Sequence, residues 1–337
     1  MRNHLAEHAS MVLLVSGIAA LFVWNDLLWR WDNLIYDTQL SLWSRPVAND
    51  IVIITIDEQS LLDLGRWPWP RATHAKLLDI LRGESPRAVG LDIIFSEADS
   101  QNPASDEALA TAIAASGNIV LPVYMAQSAA HALPIEALPL PAYSRHAGAL
   151  GHVNIDISRD GIARRIYLRE GIGEPHWPHF ALALLELSGE ALAIRQRIQA
   201  AMPAPDEQAS PMQWSKAVPW LIPYAGPPEH FTRIGYSQVL DGIYPKDFFA
   251  DKIVLIGTTA EGMGDAFPTP LSGHSRPMSG VEIVANVIDA LRHDLYLQPL
   301  GLTSQMLLTL LLIAGPLLIY PFLKPAFTLL ILFGFVT

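Results

Sequence analysis

The stretch 51–95 reads IVIITIDEQSLLDLGRWPWPRATHAKLLDILRGESPRAVGLDIIF. It opens on Ile51 to Ile56, six β-branched residues in a row, the pattern of a strand buried on both faces. Asp57 stands at the carboxyl end of that run. Residues 72–83, ATHAKLLDILRG, place apolar side chains at helical spacing and close on a glycine. Residues 87–95, RAVGLDIIF, give a second buried strand. Strand, helix and strand in this order form a βαβ unit, which implies a right-handed crossover and a parallel pair. Between them lies Trp67-Pro68-Trp69-Pro70-Arg71. Two prolines fix φ and remove two donors, so this string is neither helix nor central strand.

Outward from this unit the alternation continues. SDEALATAIAASG, 105–117, reads as a helix capped by Ser105 and ended by Gly117, and NIVLPVYM, 118–125, as a third strand. The Ala-, Pro- and His-rich residues 126–147 carry no strong pattern and read as a surface loop. GHVNIDI and IARRIYL flank Ser158-Arg159-Asp160-Gly161, a hairpin signal. A helix is expected over 178–199, a loop over 202–212, a strand over 252–257 and a helix over 280–291. The expected fold class is mixed α/β: a mostly parallel central sheet with flanking helices, an antiparallel hairpin, and transmembrane helices at both ends.

The ends differ from the middle in charge. The chain has 337 residues, of which 16% are charged and 51% hydrophobic, with a net charge of −11. A soluble chain carries about a quarter charged residues. Residues 31–300 hold 19 basic and 31 acidic residues, net −12, so the acidity sits in one block. That argues against nucleic acid as a partner, because phosphates call for a basic face. With 0 cysteines, disulfides, thiolate metal sites and thiol nucleophiles are excluded.

Ala9 to Asn25 is seventeen residues without charge, and Trp24, Trp29 and Trp31 suit interfacial anchors, so a first bilayer span is expected from about Ser10 to Trp29. A cleaved signal peptide is the rival, but no clear A-x-A site follows. Residues 30–44 suit a helix continuing from the span. Leu295 to Leu323 is free of charge over 29 residues and gives a second span, with Pro316 tolerable inside it. A third apolar run, Ala326 to Val336, is too short to cross, which suggests a fragment. The expected organisation is a tail and first span at 1–29, a polar domain at 30–299, a second span at 300–323 and the start of a third at 324–337. Both ends are expected to lie in the lipid bilayer.

TIDEQSLLDLGRWPWPRATHAKLLDIL, AVGLDIIFSE, GHVNIDISRDGIARR, FFADKIVLIGTTAEGMGDAFPTPLS and GVEIVANVIDAL, in that order, resemble the type-2 CHASE sensor domain, the cyclase- and histidine-kinase-associated sensory extracellular domain. The resemblance covers about residues 30–295. It implies an extracytoplasmic (periplasmic) sensor in an inner membrane of a bacterium. One span precedes the domain, and further spans lead to a cytoplasmic histidine kinase or nucleotide cyclase. It also implies a homodimer, since such outputs act as dimers. The stimulus, a small molecule or a protein, is not named by it.

In an open parallel sheet, ligands bind beyond the carboxyl ends of strands. Asp57 and Glu58, Asp92, and Thr258 and Thr259 leave strands there, with Asp265 further along the last loop. Together they can form a polar pocket. The competing reading is that Asp57 caps a helix and Thr258 closes a loop. Trp67, Trp69 and Arg71 form either a platform for a ligand or dimer partner, with Arg71 meeting an anion or Asp92, or a core plug with a structural ion pair. Two carboxylates such as Asp57 and Asp92 suit a hard cation, but no spaced ligand loop supports one, and His152, His176 and His179 form no H-E-x-x-H pair. No metal, cofactor or catalytic residue is therefore expected. The rival functions are a metal-assisted envelope hydrolase using Asp57, Asp92 and Asp265, and a membrane-anchored protein-docking domain.

Overall fold

The computed structural model describes residues 2–127, 133–202, 210, 212–263, 265–273, 275–295, 297 and 300–319. The chain divides into two compact units, one drawn from 1–39 and 299–337 and the other spanning 40–298.

In the first unit, α1 (Arg2–Trp24) packs beside α11 (Leu302–Ile319), and His8 Nε2 lies 2.7 Å from the Leu317 carbonyl. A break at Asp26, with φ of 52°, separates α1 from α2 (Trp29–Leu42). Among the described residues no single helix is long and apolar enough to cross a membrane. The segments Ser10–Trp24 and Trp29–Leu42 pass that test only as a pair, bent by 72°. The third apolar run and the end of the second lie outside the described residues.

The second unit is the α/β body. Its central sheet holds β1 (Ile51–Ile56), β2 (Ala88–Leu91), β3 (Ile119–Gln127), β4 (Pro134–Ala137), β5 (Ala149–His152), β10 (Thr232–Gly235) and β11 (Ile253–Thr258). The order is β10-β1-β11-β2-β3-β4, with β5 also on β3, and every pairing but β3–β4 is parallel. A second, antiparallel sheet joins β6 (Asp156–Ile157), β7 (Ala163–Ile172), β8 (Trp177–Pro178) and β9 (Trp214–Leu221). A ribbon of β12 (Ala266–Phe267) and β13 (Met278–Ser279) completes the strands.

The helices are α3 (Glu58–Leu64), α4 (Arg71–Glu84), α5 (Pro103–Ser116), α6 (Pro141–Ser144), α7 (Phe180–Leu187), α8 (Leu192–Ala201), α9 (Tyr236–Leu240) and α10 (Gly280–Arg292). They sort by strand parity. Val52, Val254 and Val89 are aligned neighbours and share a core with Leu77, Leu78 and Leu81 of α4, Leu109 and Ile113 of α5, and Val239 of α9. Ile53, Leu255 and Gly90 point the other way, where α7 and α10 pack. Gly90 must stay bare there, since a Cβ would meet the Phe180 ring at 2.8 Å.

Several expectations need correction. The strand expected over 87–95 ends at Leu91. Asn102, not Ser105, occupies the cap position of α5; the Ser105 hydroxyl instead accepts the Ala72 N–H at 2.7 Å, joining α5 to α4. Residues 126–147 are no plain loop: β4 and α6 lie within them. The hairpin turn at 158–161 is present, but GHVNIDI is divided between the two sheets. The helix expected over 178–199 is broken into α7 and α8 at Gly189, whose φ is 81°. Most of the loop at 202–212 lies outside the described residues.

Candidate functional site

The connection leaving β1 turns to the α3–α4 face, and that leaving β2 turns to α5 on the same face. The connection leaving β11 turns to α10 on the opposite face. A strand whose connection departs against its neighbours opens a crevice beyond its carboxyl end. Here β11 has such a neighbour on each side, and two clefts result. One, of about 1000 Å³, lies beyond β10, β1 and β11; the other, of about 560 Å³, lies beyond β11, β2 and β3. Thr258 and Asp265 line both.

The expected residues distribute between the two. Asp57, Glu58 and Thr259 join Thr258 and Asp265 in the larger cleft; Asp92 and Trp67 join them in the smaller. Trp69 and Arg71 line neither. Asp57 is also the cap of α3: its Oδ1 accepts the Ser60 N–H at 2.8 Å and its Oδ2 the Thr55 hydroxyl at 3.1 Å. Asp57 is thus the cap that one reading expected, and it also lines the larger cleft. Glu58 Oε1 accepts the Glu261 N–H at 2.8 Å, tying the loop after β11 to the start of α3.

The Trp-Pro string divides as well. Trp69 is buried at 2%, donates its indole N–H to the Gly65 carbonyl at 2.9 Å, and stacks near Tyr236. The Tyr236 hydroxyl meets His74 Nδ1 at 2.8 Å. Burial, and then the nearby Arg71 charge, push His74 down to about 3. Trp69 is thus a core plug, whereas Trp67 is half-buried and faces the smaller cleft. The carboxylate that Arg71 meets is Asp106 rather than Asp92, in the structural ion pair of the core-plug reading: Arg71 Nε lies 3.4 Å from Asp106 Oδ1, and its guanidinium donates to the Glu97 carbonyl at 3.1 Å and sits over Phe95. The packing of α4 on α5 brings Asp106 to Arg71.

Asp92 and Asp265 carry the electrostatics. Loss of hydration, and then the Asp265 charge, push Asp92 up to about 8. Asp265 is also raised, by burial. Its carboxylate lies over the first residue of α10, where a Cβ on Gly280 would meet Oδ1 at 2.5 Å. No hydrogen-bond donor among the described residues meets either carboxylate side chain. Sequence reading missed Arg233, Arg276 and Glu229, whose carboxylate pairs with both arginines at 2.5 and 3.0 Å, and Glu282, which accepts the His230 N–H at 2.9 Å. The one available signal was Glu282, an acid inside the apolar helix GVEIVANVIDAL.

The family model of the CHASE2 domain matches residues 11–319, nearly the whole chain and the entire α/β body. The chain belongs to the CHASE2 domain family. CHASE2 domains are sensory domains of extracellular type, so the paired clefts sit in a sensory domain. No curated protein and no solved structure matches the chain.

Proposed function

We propose that this CHASE2 domain is the extracytoplasmic (periplasmic) input of an inner-membrane signalling protein. A stimulus occupies the crevices beside β11, and the change passes through α10 to the two ends of the body. From there it passes through membrane helices to a cytoplasmic histidine kinase or nucleotide cyclase, acting as a dimer. The anchoring segments are those expected at 1–29 and 300–323, around a domain at 30–299.

The observation that carries this reading is the position of α10. It starts under Asp265, and Glu282 in its first turn lines the larger cleft. Its last turns hold the places where the chain joins and leaves the body. Arg45, three residues after α2, is clamped by the fully buried Asp289, by the Pro223 carbonyl at 2.9 Å, and through its own N–H by the Ala225 carbonyl. Leu295 N–H donates to the Ala290 carbonyl, and Leu297 pairs with Leu221. A stimulus shifts such an element only by favouring one of its arrangements.

The hydrolase alternative needs Asp57, Asp92 and Asp265 in one place. Asp57 and Asp92 line different clefts, and no group of three metal-ligating side chains occurs among the described residues.

Topology is the test. The chain has no cysteine, so a single Glu107→Cys change on the exposed face of α5 gives a unique thiol. A membrane-impermeant maleimide should label it in intact spheroplasts. Labelling only after lysis would refute the extracytoplasmic placement.

A further inference from the structure

We propose that the smaller cleft binds an amphiphilic amine, its ammonium seated between Asp92 and Asp265 and its apolar part lying along Trp67, Met263, Phe267 and Val284. This rests on the sensory reading above and names the class of ligand.

Three observations converge. First, Asp92 and Asp265 are the charged groups of that cleft, and no cation among the described residues lines it. An anionic ligand is repelled, and a neutral one leaves two desolvated acids unmatched. Second, the remaining walls are mainly apolar: Trp67, Met263, Phe267 and Val284 offer an indole, a thioether, a ring and an aliphatic chain. An ammonium near Trp67 also gains from the face of the indole. Third, about 560 Å³ suits a small organic molecule and far exceeds a bare ion. A hard divalent cation would complete its shell of six or more oxygens with waters and leave the apolar walls unused.

Chemistry favours an amine over other cations. A primary ammonium carries three N–H donors, enough for one bond to each carboxylate with one left for Thr258 or Asn154, which also line the cleft. Burial, and then the Asp265 charge, favour a proton on Asp92. Seating the ammonium releases that proton to solvent, leaving two carboxylates facing one cation. Tyr124 is the other titratable group of this cleft. Across Asp265, the larger cleft presents Asp57, Glu58, Glu229, Glu261 and Glu282 against Arg233 and Arg276, a negative balance that attracts cations.

Benzylamine, benzyl alcohol, benzoate and magnesium chloride, titrated calorimetrically into the purified full chain, test this. Benzylamine should saturate, releasing a proton seen as a buffer-dependent heat at pH 7. Benzyl alcohol, benzoate and magnesium should not saturate. Asp265→Asn and Asp92→Asn keep the side-chain shape, and each should weaken benzylamine at least about tenfold, or about 1.4 kcal/mol. Equal binding of benzyl alcohol, unchanged affinity in both variants, or no benzylamine binding would overturn the amine assignment. So would saturation by benzoate or magnesium; but either, if lost when the cleft is altered, would leave the sensory reading standing. That reading falls separately, on the maleimide result.

Discussion

The two ends of the central sheet solve the problem of charge in opposite ways. At the amino ends of the strands, Asp50, Arg87 and Asp251 stand just before β1, β2 and β11, and meet Glu190 and Arg292. Arg292 donates to Asp50 at 2.8 Å and lies 2.7 Å from Glu190, and Arg87 reaches Asp50, Glu190 and Asp251. Each of these charges has an opposite one beside it. At the carboxyl ends, Asp92 and Asp265 line one cleft without a hydrogen-bond donor to either side chain among the described residues. The same strands therefore end in a closed network on one side and an unmet demand on the other. An unmet pair costs stability and persists where something else is to be gained, which supports the proposal that the stimulus acts at that end.

The largest effect should come from the closed end. Arg45→Ala strips the arginine from Asp289, whose side chain is 0% exposed, leaving it His293 Nδ1 at 3.3 Å, and should cost about 3 kcal/mol in urea unfolding. A loss under about 1 kcal/mol would mean that this clamp is not structural. Arg292→Ala, breaking two contacts of a side chain 11% exposed, should cost about 2 kcal/mol by the same measurement. At the open end the sign reverses. Asp92→Asn removes one of two repelling carboxyls and should be neutral or stabilising by up to about 1 kcal/mol. The gain should grow with pH. The folded domain holds the Asp92 proton from the ordinary 3.8 up to about 8, so this contribution is present below pH 3.8 and is lost as pH rises toward 8. Melting temperatures of the two proteins should diverge over that window. His74 and His179, both held down to about 3, lose their contribution as pH falls below 6.5 in both proteins, so they cancel in the difference. The smallest effect concerns Asp57: alanine should cost about 1 kcal/mol through the lost cap and asparagine almost nothing. A large loss in Asp57→Asn would show that its charge matters beyond capping.

How much of this was legible depended on how each segment buries its side chains. Ile51–Ile56 and Ile253–Thr258 are covered on both faces, so an unbroken β-branched run announces the first and the apolar run Ile253 to Ile256 the second. The amphipathic α4 and the apolar α10 were equally plain. By contrast, β10 is four residues at the sheet edge with Arg233 inside, and β9 carries Pro219 in a second sheet; neither has a central strand's signature. Missing β10 hid Arg233 and one wall of the larger cleft. Asp57, Thr258 and Asp265 were legible because strand ends in a parallel sheet can be located from the strands alone. The partner of Arg71 was not, because Asp106 reaches it only through the packing of α5 on α4.

Hydrogen exchange on the full chain, comparing the native protein with Asp265→Asn, tests most directly whether the open end speaks to the closed one. A changed charge at the cleft should alter protection along residues 281–291 and again at 45–50, some 20 Å away along α10 at about 1.5 Å per residue. Changes confined to residues 259–279, with α10 and the Arg45 clamp untouched, would contradict the relay.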